Sequence, residues 1–329
     1  MARRDKYWIA HISRKLVSPT PVTHVSRDTP ERNRSQNKAK HKDMTAQQTR
    51  LPRDVIEISG PDTRTFLQGL VSQDVGKVTP GHAAYGTLLT PQGKFLHDFL
   101  MADSGNGLIL DTESGRGEEL TGRLTRFKLR AKVEINTRPD LAVTAVFGDD
   151  VIAALGLAPD PGSCLRDSEQ LVFVDPRTAE LGVRILATPA DTATFLNGQQ
   201  IGESGAEDYD RLRIALAVPD GARDMEIEKS TLLESNIDLL NGIDWEKGCY
   251  MGQELTARTK YRGLVRRQLR AFRADGQPPE PGSAIHAGEK PVGDVRSVSG
   301  DYVLASVRTE TDDDTRFTAE NGTILLPVS

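Results

Sequence analysis

The chain has 329 residues, of which 37% are apolar and 27% charged, with a net charge of −5 at neutral pH. That length allows two or three domains around a substantial core, and no apolar run approaches the roughly 20 residues of a membrane span. Only two cysteines are present, Cys164 and Cys249, in no metal-ligand spacing, which argues against a disulfide framework and fits a reducing compartment.

Charge is divided unevenly along the chain. Residues 1–43 carry 11 basic and 4 acidic residues, and the remainder carries 31 basic and 43 acidic ones. This first segment lacks periodicity beyond Tyr7, Trp8 and Ile9 and reads as a disordered basic tail. Three readings of it stay open: a transit segment, a nucleic-acid-binding arm, or an upstream start with Met44 as the functional beginning.

From Met44 onward the pattern becomes organised. Asp54–Ser59 alternates like a half-buried strand, and Gly60-Pro61 ends it. A helix follows with Phe66, Leu67, Leu70 and Val71 on one face and Asp62 or Thr63 as its cap. Ala83–Leu89 and Lys94–Met101 read as strands around a turn at Thr90-Pro91-Gln92-Gly93. A second helix near Glu118–Phe127 leads into a strand at Lys132–Ile135. Elements continue through Leu171–Val174, Val183–Ala187, Ala190–Leu196 and Asp208–Leu216, an α+β pattern without a dinucleotide-type glycine turn. After a boundary near Arg262-Gly263, the runs Leu269–Arg273, Val292–Val298, Tyr302–Val307 and Thr323–Pro327 predict a small all-β barrel.

The stretch richest in chemistry is Lys247-Gly248-Cys249-Tyr250-Met251-Gly252-Gln253-Glu254. Gly248 and Gly252 permit close backbone approach. Lys247 beside the thiol is a setting that lowers a cysteine pKa. Gln253 and Glu254 put an amide and a carboxylate at a helix start. On the residues alone, Cys249 reads as either a structural or a reactive thiol.

This string resembles the K-G-C-[FYW]-x-G-Q-E signature of the YgfZ-type folate-binding proteins, relatives of the glycine-cleavage T-protein that include the mitochondrial iron–sulfur assembly factors. Phe66-Leu67-Gln68-Gly69-Leu70 with Ser72-Gln73-Asp74, and Thr90-Pro91-Gln92-Gly93-Lys94 through Asp98, resemble further family segments. So do Lys128–Val133, Arg213–Pro219 (with Ala217 in place of a glycine), Glu234–Asp238 and Tyr261-Arg262-Gly263.

The resemblance implies a T-protein-like three-domain ring with a central folate channel over residues 44–262, residues 141–204 forming its second subdomain, and a C-terminal β-barrel over 263–329. It implies tetrahydrofolate or a one-carbon derivative as cofactor. Pterin N–H donors pair with a buried carboxylate. The candidates are Asp98 and Glu180, the latter in Asp175–Gly182, the nearest match to the T-protein Gly-Tyr-Thr-Gly-Glu-x-Gly segment. Gly248, Tyr250, Gly252, Gln253, Glu254, Arg258 and Arg262 complete the expected binding set, with Cys249 as functional thiol and Lys247 tuning it. Two basic clusters suit the anionic folate tail: Arg258, Lys260, Arg262, Arg266, Arg267 and Arg270, and Arg123, Arg126, Lys128, Arg130 and Lys132.

The implied function is support of iron–sulfur cluster assembly or repair for [4Fe–4S] enzymes, including tRNA-modifying ones, with assembly proteins and client enzymes as partners. Aminomethyl transfer is the alternative, but His97-Asp98 stands where T-proteins carry paired acids. RNA or tRNA binding ranks third, opposed by the acidic body and 5% aromatic content. Two cysteines, with only His82, His97 and His286 outside the tail, cannot enclose a cluster that needs about four ligands, so no resident metal is expected. Cys249 supplies at most one ligand in a shared complex. The expected compartment is the bacterial cytoplasm, with the mitochondrial matrix as the alternative.

Overall fold

Pro52 alone separates strands β1 (Gln47–Leu51) and β2 (Arg53–Ser59), and the two enter different sheets. The computed structural model describes residues 45–166, 170–312 and 315–328, so the tail over residues 1–43 lies outside the described residues.

After β2 come α1 (Thr63–Gln68), β3 (Ala84–Leu89), β4 (Phe95–Asp103), β5 (Gly107–Glu113), α2 (Gly117–Lys128) and β6 (Glu134–Thr137). Strands β3-β4-β5-β2-β6, in that order, form the first sheet, antiparallel throughout. Then follow β7 (Ala142–Phe147), α3 (Val151–Ala154), β8 (Cys164–Arg166), β9 (Gln170–Val174), β10 (Val183–Ala187), α4 (Pro189–Leu196) and β11 (Gly202–Glu203). The second sheet runs β11-β1-β7-β10-β9-β8. Its expected span, 141–204, supplies β7 to β11, but β1 from far upstream sits between β11 and β7.

The two sheets face each other. Tyr85, Phe95, Leu100 and Ile109 of the first pack with Val143, Phe147, Phe173 and Leu186 of the second. On the outer side of the first sheet, Leu67 of α1 and Leu120 and Leu124 of α2 cover Ile56, Phe99 and Leu110. On the outer side of the second, Val151 and Leu196 cover Val172 and Ile185. Strands covered on both faces carry near-continuous apolar runs, such as Ala-Val-Thr-Ala-Val-Phe in β7, rather than alternation. For that reason an alternation test does not show β5 or β7.

Helices α5 (Ala206–Ala215) and α6 (Gly221–Asp224) lead to a long irregular segment, and α7 (Gln253–Arg262) closes the body. Six strands then form a closed barrel: β12 (Arg267–Asp275), β13 (Ala284–Ala287), β14 (Lys290–Ser299), β15 (Tyr302–Arg308), β16 (Phe317–Ala319) and β17 (Ile324–Pro327). Four match the expected runs, while β13 and β16 are too short for alternation to show. Ile214 of α5 docks the barrel by packing on Leu269 and Leu304. Among the described residues no helix is long and apolar enough to cross a membrane.

One close approach sets where the candidate site lies. In the turn between β3 and β4, Gly93 has φ +73°, and a Cβ there would lie 2.7 Å from the Gly252 carbonyl oxygen. Gly252, at φ +84°, caps α7, and its own Cβ would lie 2.7 Å from the Thr90 carbonyl oxygen and 3.0 Å from Gly93 Cα. Glycine therefore meets glycine where the hairpin and the cysteine segment touch. Gly252→Ala is expected to cost about 3 kcal/mol in denaturant unfolding, from backbone strain plus the clash. The control Gly263→Ala, at φ +60° with nothing within 4 Å, should cost only about 1 kcal/mol. Equal costs would mean that the contact contributes nothing beyond strain.

Candidate functional site

The cysteine segment is built around a buried cation. Lys247 Nζ donates to the carbonyls of Gln68 (2.9 Å), Val71 (2.7 Å) and Gln73 (2.7 Å). These carbonyls follow the C-terminus of α1, where helix oxygens lack intrahelical partners and a positive charge is favoured. The Tyr250 ring lies 5.3 Å from the same ammonium. Burial lowers the Lys247 pKa to about 8, opposed by Asp74 and Asp244. All three ammonium hydrogens are thus engaged by α1 and the residues after it. The expected role of Lys247 in tuning the thiol gives way to that of an anchor.

Around that anchor the loop is fixed from several directions. The Met251 N–H donates to the Gly69 carbonyl at 3.1 Å, and Asp244 Oδ1 accepts from the N–H groups of Glu246 and Lys247. Tyr250 is buried and Gly252 is held against Gly93, while Gly248 and Cys249 stand exposed. Gln253 opens α7, and Glu254 pairs on the surface with Arg258 at 2.8 Å. Cys249 is therefore an exposed free thiol on a loop held at both ends, whereas Cys164 is half-buried and burial raises its thiol pKa to about 11.

A second constellation fills the interior between the sheets. Asp111 accepts from Arg53 Nε (2.6 Å) and Arg184 Nη1 (2.9 Å). Asp175 accepts from Arg177 Nη2 (2.7 Å) and Arg184 Nε (3.3 Å). Burial would raise the Asp175 pKa, but Arg177 and Arg184 outweigh it and hold the group at about 2. Arg53, Arg177 and Arg184 border a cavity of about 280 Å³ that is also lined by Tyr209, Arg213, Asp220 and Arg223. Arg213 bonds Asp210 and Asp224, yet its buried Nη2 has no partner. Beneath Arg177, whose guanidinium lies 5.8 Å over the Tyr85 ring, the Tyr85 hydroxyl donates to Asp98 Oδ2 at 2.9 Å. Asp98 Oδ1 is buried without a partner, and burial raises that carboxyl's pKa against the pull of Arg53.

Several expectations change here. Glu180 sits exposed on a 3₁₀ turn, Ala179–Leu181, and the buried carboxylate of its segment is Asp175. Neither Asp98 nor Tyr250, Gly252, Gln253, Glu254, Arg258 and Arg262, which belong to the cysteine segment and α7, line the cavity. Arg53, Arg177, Arg184 and Arg213 do line it. They are scattered over 160 residues, and only Arg177 and Arg213 fall in segments that the family resemblance marks. Among the described residues no group of three or more His, Cys, Asp or Glu is placed to hold a metal ion.

Comparison with known proteins now has a geometry to meet. Residues 266–328 match the family model of the CAF17 C-terminal beta-barrel domain. Human mitochondrial iron–sulfur cluster assembly factor IBA57 is 30% identical over 278 residues, covering 78% of this chain and 76% of the relative. The chain belongs to the IBA57 family. The homologue from Phaeosphaeria nodorum, also named an IBA57 mitochondrial assembly factor, is 31% identical over 82% of this chain and 72% of its own length. Among solved structures, the glycine cleavage system aminomethyltransferase T of Bartonella henselae superposes with a TM-score of 0.72 at 17% identity, covering 88% of this chain and 86% of that one. This likeness gives the chain the T-protein fold.

Two further residues behave differently in this member of the IBA57 family than their sequence neighbours suggest. His97 and Asp98 are adjacent on β4 but point to opposite faces, so they form no pair. His97 lies under α2 near Arg116 and Glu119, with neither ring nitrogen hydrogen-bonded. The basic cluster at 258–270 is largely committed. Lys260 stacks on Trp245 at 3.6 Å, Arg267 pairs with Asp294, and Arg270 packs over Phe272 and Phe317. That leaves the cluster at 123–132 as the larger free cationic surface.

Two outcomes are expected from this geometry. Lys247→Met leaves three buried carbonyls without a donor and should cost about 3 kcal/mol in urea unfolding. Unchanged stability with slower maleimide labelling of Cys249 would return Lys247 to the thiol. His97 has its pKa lowered to about 4, first by burial and then by Arg116, against 6.5 when exposed. The unfolded chain therefore takes up the proton first, and stability should fall by about 3 kcal/mol as the pH drops from 6.5 to 4. His97→Leu should flatten that part of the stability–pH profile, and an unchanged slope would assign the acid sensitivity elsewhere.

Proposed function

We propose that this chain serves iron–sulfur cluster assembly by presenting Cys249 as a single ligand to a cluster shared with a partner protein, the cluster being cargo rather than a resident cofactor. The observation that carries this reading is the exposed Cys249 on a loop clamped by Lys247 and Gly252. One thiolate cannot hold a cluster that takes about four ligands, so the other ligands come from the partner. The names of the IBA57 relatives support the pathway, and they carry the mitochondrion, the second of the two compartments expected from sequence. Clients are [4Fe–4S] enzymes, including those that modify tRNA.

The interior cavity is the proposed site for tetrahydrofolate or a one-carbon derivative. The unpartnered groups fit that molecule in type. Arg213, which lines the cavity, has in Nη2 a buried donor suited to a carboxylate, and Asp98, which lies beyond the lining next to Tyr85, has in Oδ1 a buried acceptor suited to pterin N–H donors. At about 280 Å³ the cavity lies just under the usual ligand range of roughly 300–1,000 Å³, so it takes part of the molecule and leaves the rest toward solvent near Arg223. When bound, folate would supply one-carbon chemistry. The chain's own part is to hold its carboxylate at Arg213, to reach the pterin with Asp98 from beyond the lining, and to exclude water from the buried end.

Both halves of the proposal are open to direct measurement. In cells lacking the protein, Cys249→Ala is expected to fold normally and to abolish rescue of [4Fe–4S] enzyme activity; full rescue would overturn the thiol role. Anaerobic calorimetric titration of tetrahydrofolate into the full chain should give one-to-one binding, weakened about tenfold or more by Arg213→Gln and by Asp98→Asn. A folded chain that releases no heat would overturn the folate site and leave the thiol reading standing.

A further inference from the structure

Of the two basic clusters in the sequence, the one at 258–270 is engaged internally, and the other is not. Arg123 pairs with Glu119, but among the described residues Arg126, Lys128, Arg130 and Lys132 make no side-chain hydrogen bond or ion pair. These four cations fall within seven residues at the end of α2 and just after it. Leu129 stands in their midst.

Leu129 is unusual on two independent counts. It is 90% exposed, and its backbone has φ 42° and ψ −104° at the C-cap of α2. A branched apolar side chain is disfavoured at positive φ, and this is a position where helices ordinarily place glycine. The fold thus holds a large apolar side chain outward through a strained backbone, with Phe127 also exposed beside it. Strain retained at an exposed position points to use rather than to packing.

The tip and the cysteine loop are tied to opposite ends of α1. The Asp62 carboxylate accepts from the Lys132 N–H at 2.7 Å at the start of α1, while Lys247 and Met251 bind the carbonyls of Gln68 and Gly69 at its end. Ala131 and Met251 both pack on the core under α1, together with Phe66 and Leu70. The two exposed loops therefore bracket a helix only about 9 Å long at 1.5 Å per residue.

We infer that the Leu129 tip, ringed by Arg126, Lys128, Arg130 and Lys132, is the docking point for the protein that shares the Cys249-bound cargo, inserting into an apolar recess rimmed by Asp and Glu. An apolar anchor desolvated in a pocket supplies the affinity, and the unpaired cations steer an acidic partner and fix its orientation. A bilayer is the weaker fit, because one leucine and one phenylalanine offer little apolar area to insert. Only the partner's identity as a cluster-sharing protein rests on the reading of Cys249.

The test uses the full chain with the photoreactive residue benzoylphenylalanine in place of Leu129, irradiated in cells that depend on the protein. The expected result is one protein adduct, joined through a peptide rich in Asp and Glu and reduced at least tenfold by the quadruple variant R126E/K128E/R130E/K132E. The same protein should be recovered by bismaleimide cross-linking from Cys249. Leu129→Gly relieves the strained φ, so it should hold or raise Tm while cutting rescue of cluster-enzyme activity at least fivefold. The docking assignment is overturned by no adduct, by adducts to RNA or to many unrelated proteins, or by an adduct that survives charge reversal. Binding to phosphatidylserine vesicles that Leu129→Gly abolishes would assign the tip to a membrane instead. If Cys249→Ala fails to rescue while both loop variants rescue fully, this inference falls alone. If Cys249→Ala also rescues, the functional reading falls.

Discussion

An ammonium group with three carbonyl oxygens around it decides where the cysteine of this protein stands. The carbonyls after α1 would otherwise be buried acceptors without donors, and the Lys247 charge would otherwise be stranded in a low-dielectric interior. Each defect cures the other, so the loop and the helix hold one another in place. The two facing glycines then fix the far end of the loop, because nothing larger fits between Thr90 and Gly252. What remains free between the clamps is Gly248 and Cys249. A thiol in such a position can be reached by a large partner while its backbone keeps one geometry.

The interior follows a different logic. Between two sheets whose facing sides are otherwise apolar lie Arg53, Arg177 and Arg184, neutralised by Asp111, Asp175 and Asp220. Such a lattice does little for net stability, since desolvation offsets most of the attraction. It does impose specificity, because any rearrangement of the sheets would strand a charge. Asp98 Oδ1 and Arg213 Nη2 are the polar atoms of this region that the lattice leaves over.

Much of this was legible in the sequence, and the gaps have physical causes. Strands β2, β3 and β9, helix α2 and the barrel follow from local periodicity, and the eight-residue run from Lys247 to Glu254 names the family. The role of Lys247 was misread because neighbours in a loop share no direction: one residue's side chain enters the core while the next but one faces solvent. The family resemblance points to Glu180, yet burial selects Asp175, whose carboxylate is held by Arg177 two residues on. The arginine lattice has no local pattern at all. Its members come from β2, β10 and the link after β9, and only the fold assembles them. Leu129 carried no signal either, since exposure and a positive φ are invisible in a letter.

The course of β1 has a consequence for how the molecule is made. Its residues pair with β7, nearly a hundred positions later, and with β11 later still. During vectorial synthesis β1 emerges with both edges bare, while β2, one residue away, can begin to pair as soon as β5 appears. The second sheet cannot close on the ribosome until the segment through β7 has left the exit tunnel. Long-range pairing of this kind is slow and leaves a sticky edge in the meantime. The two sheets are therefore joined through Pro52, and a piece cut at 141–204 would lack the strand that sits between β11 and β7.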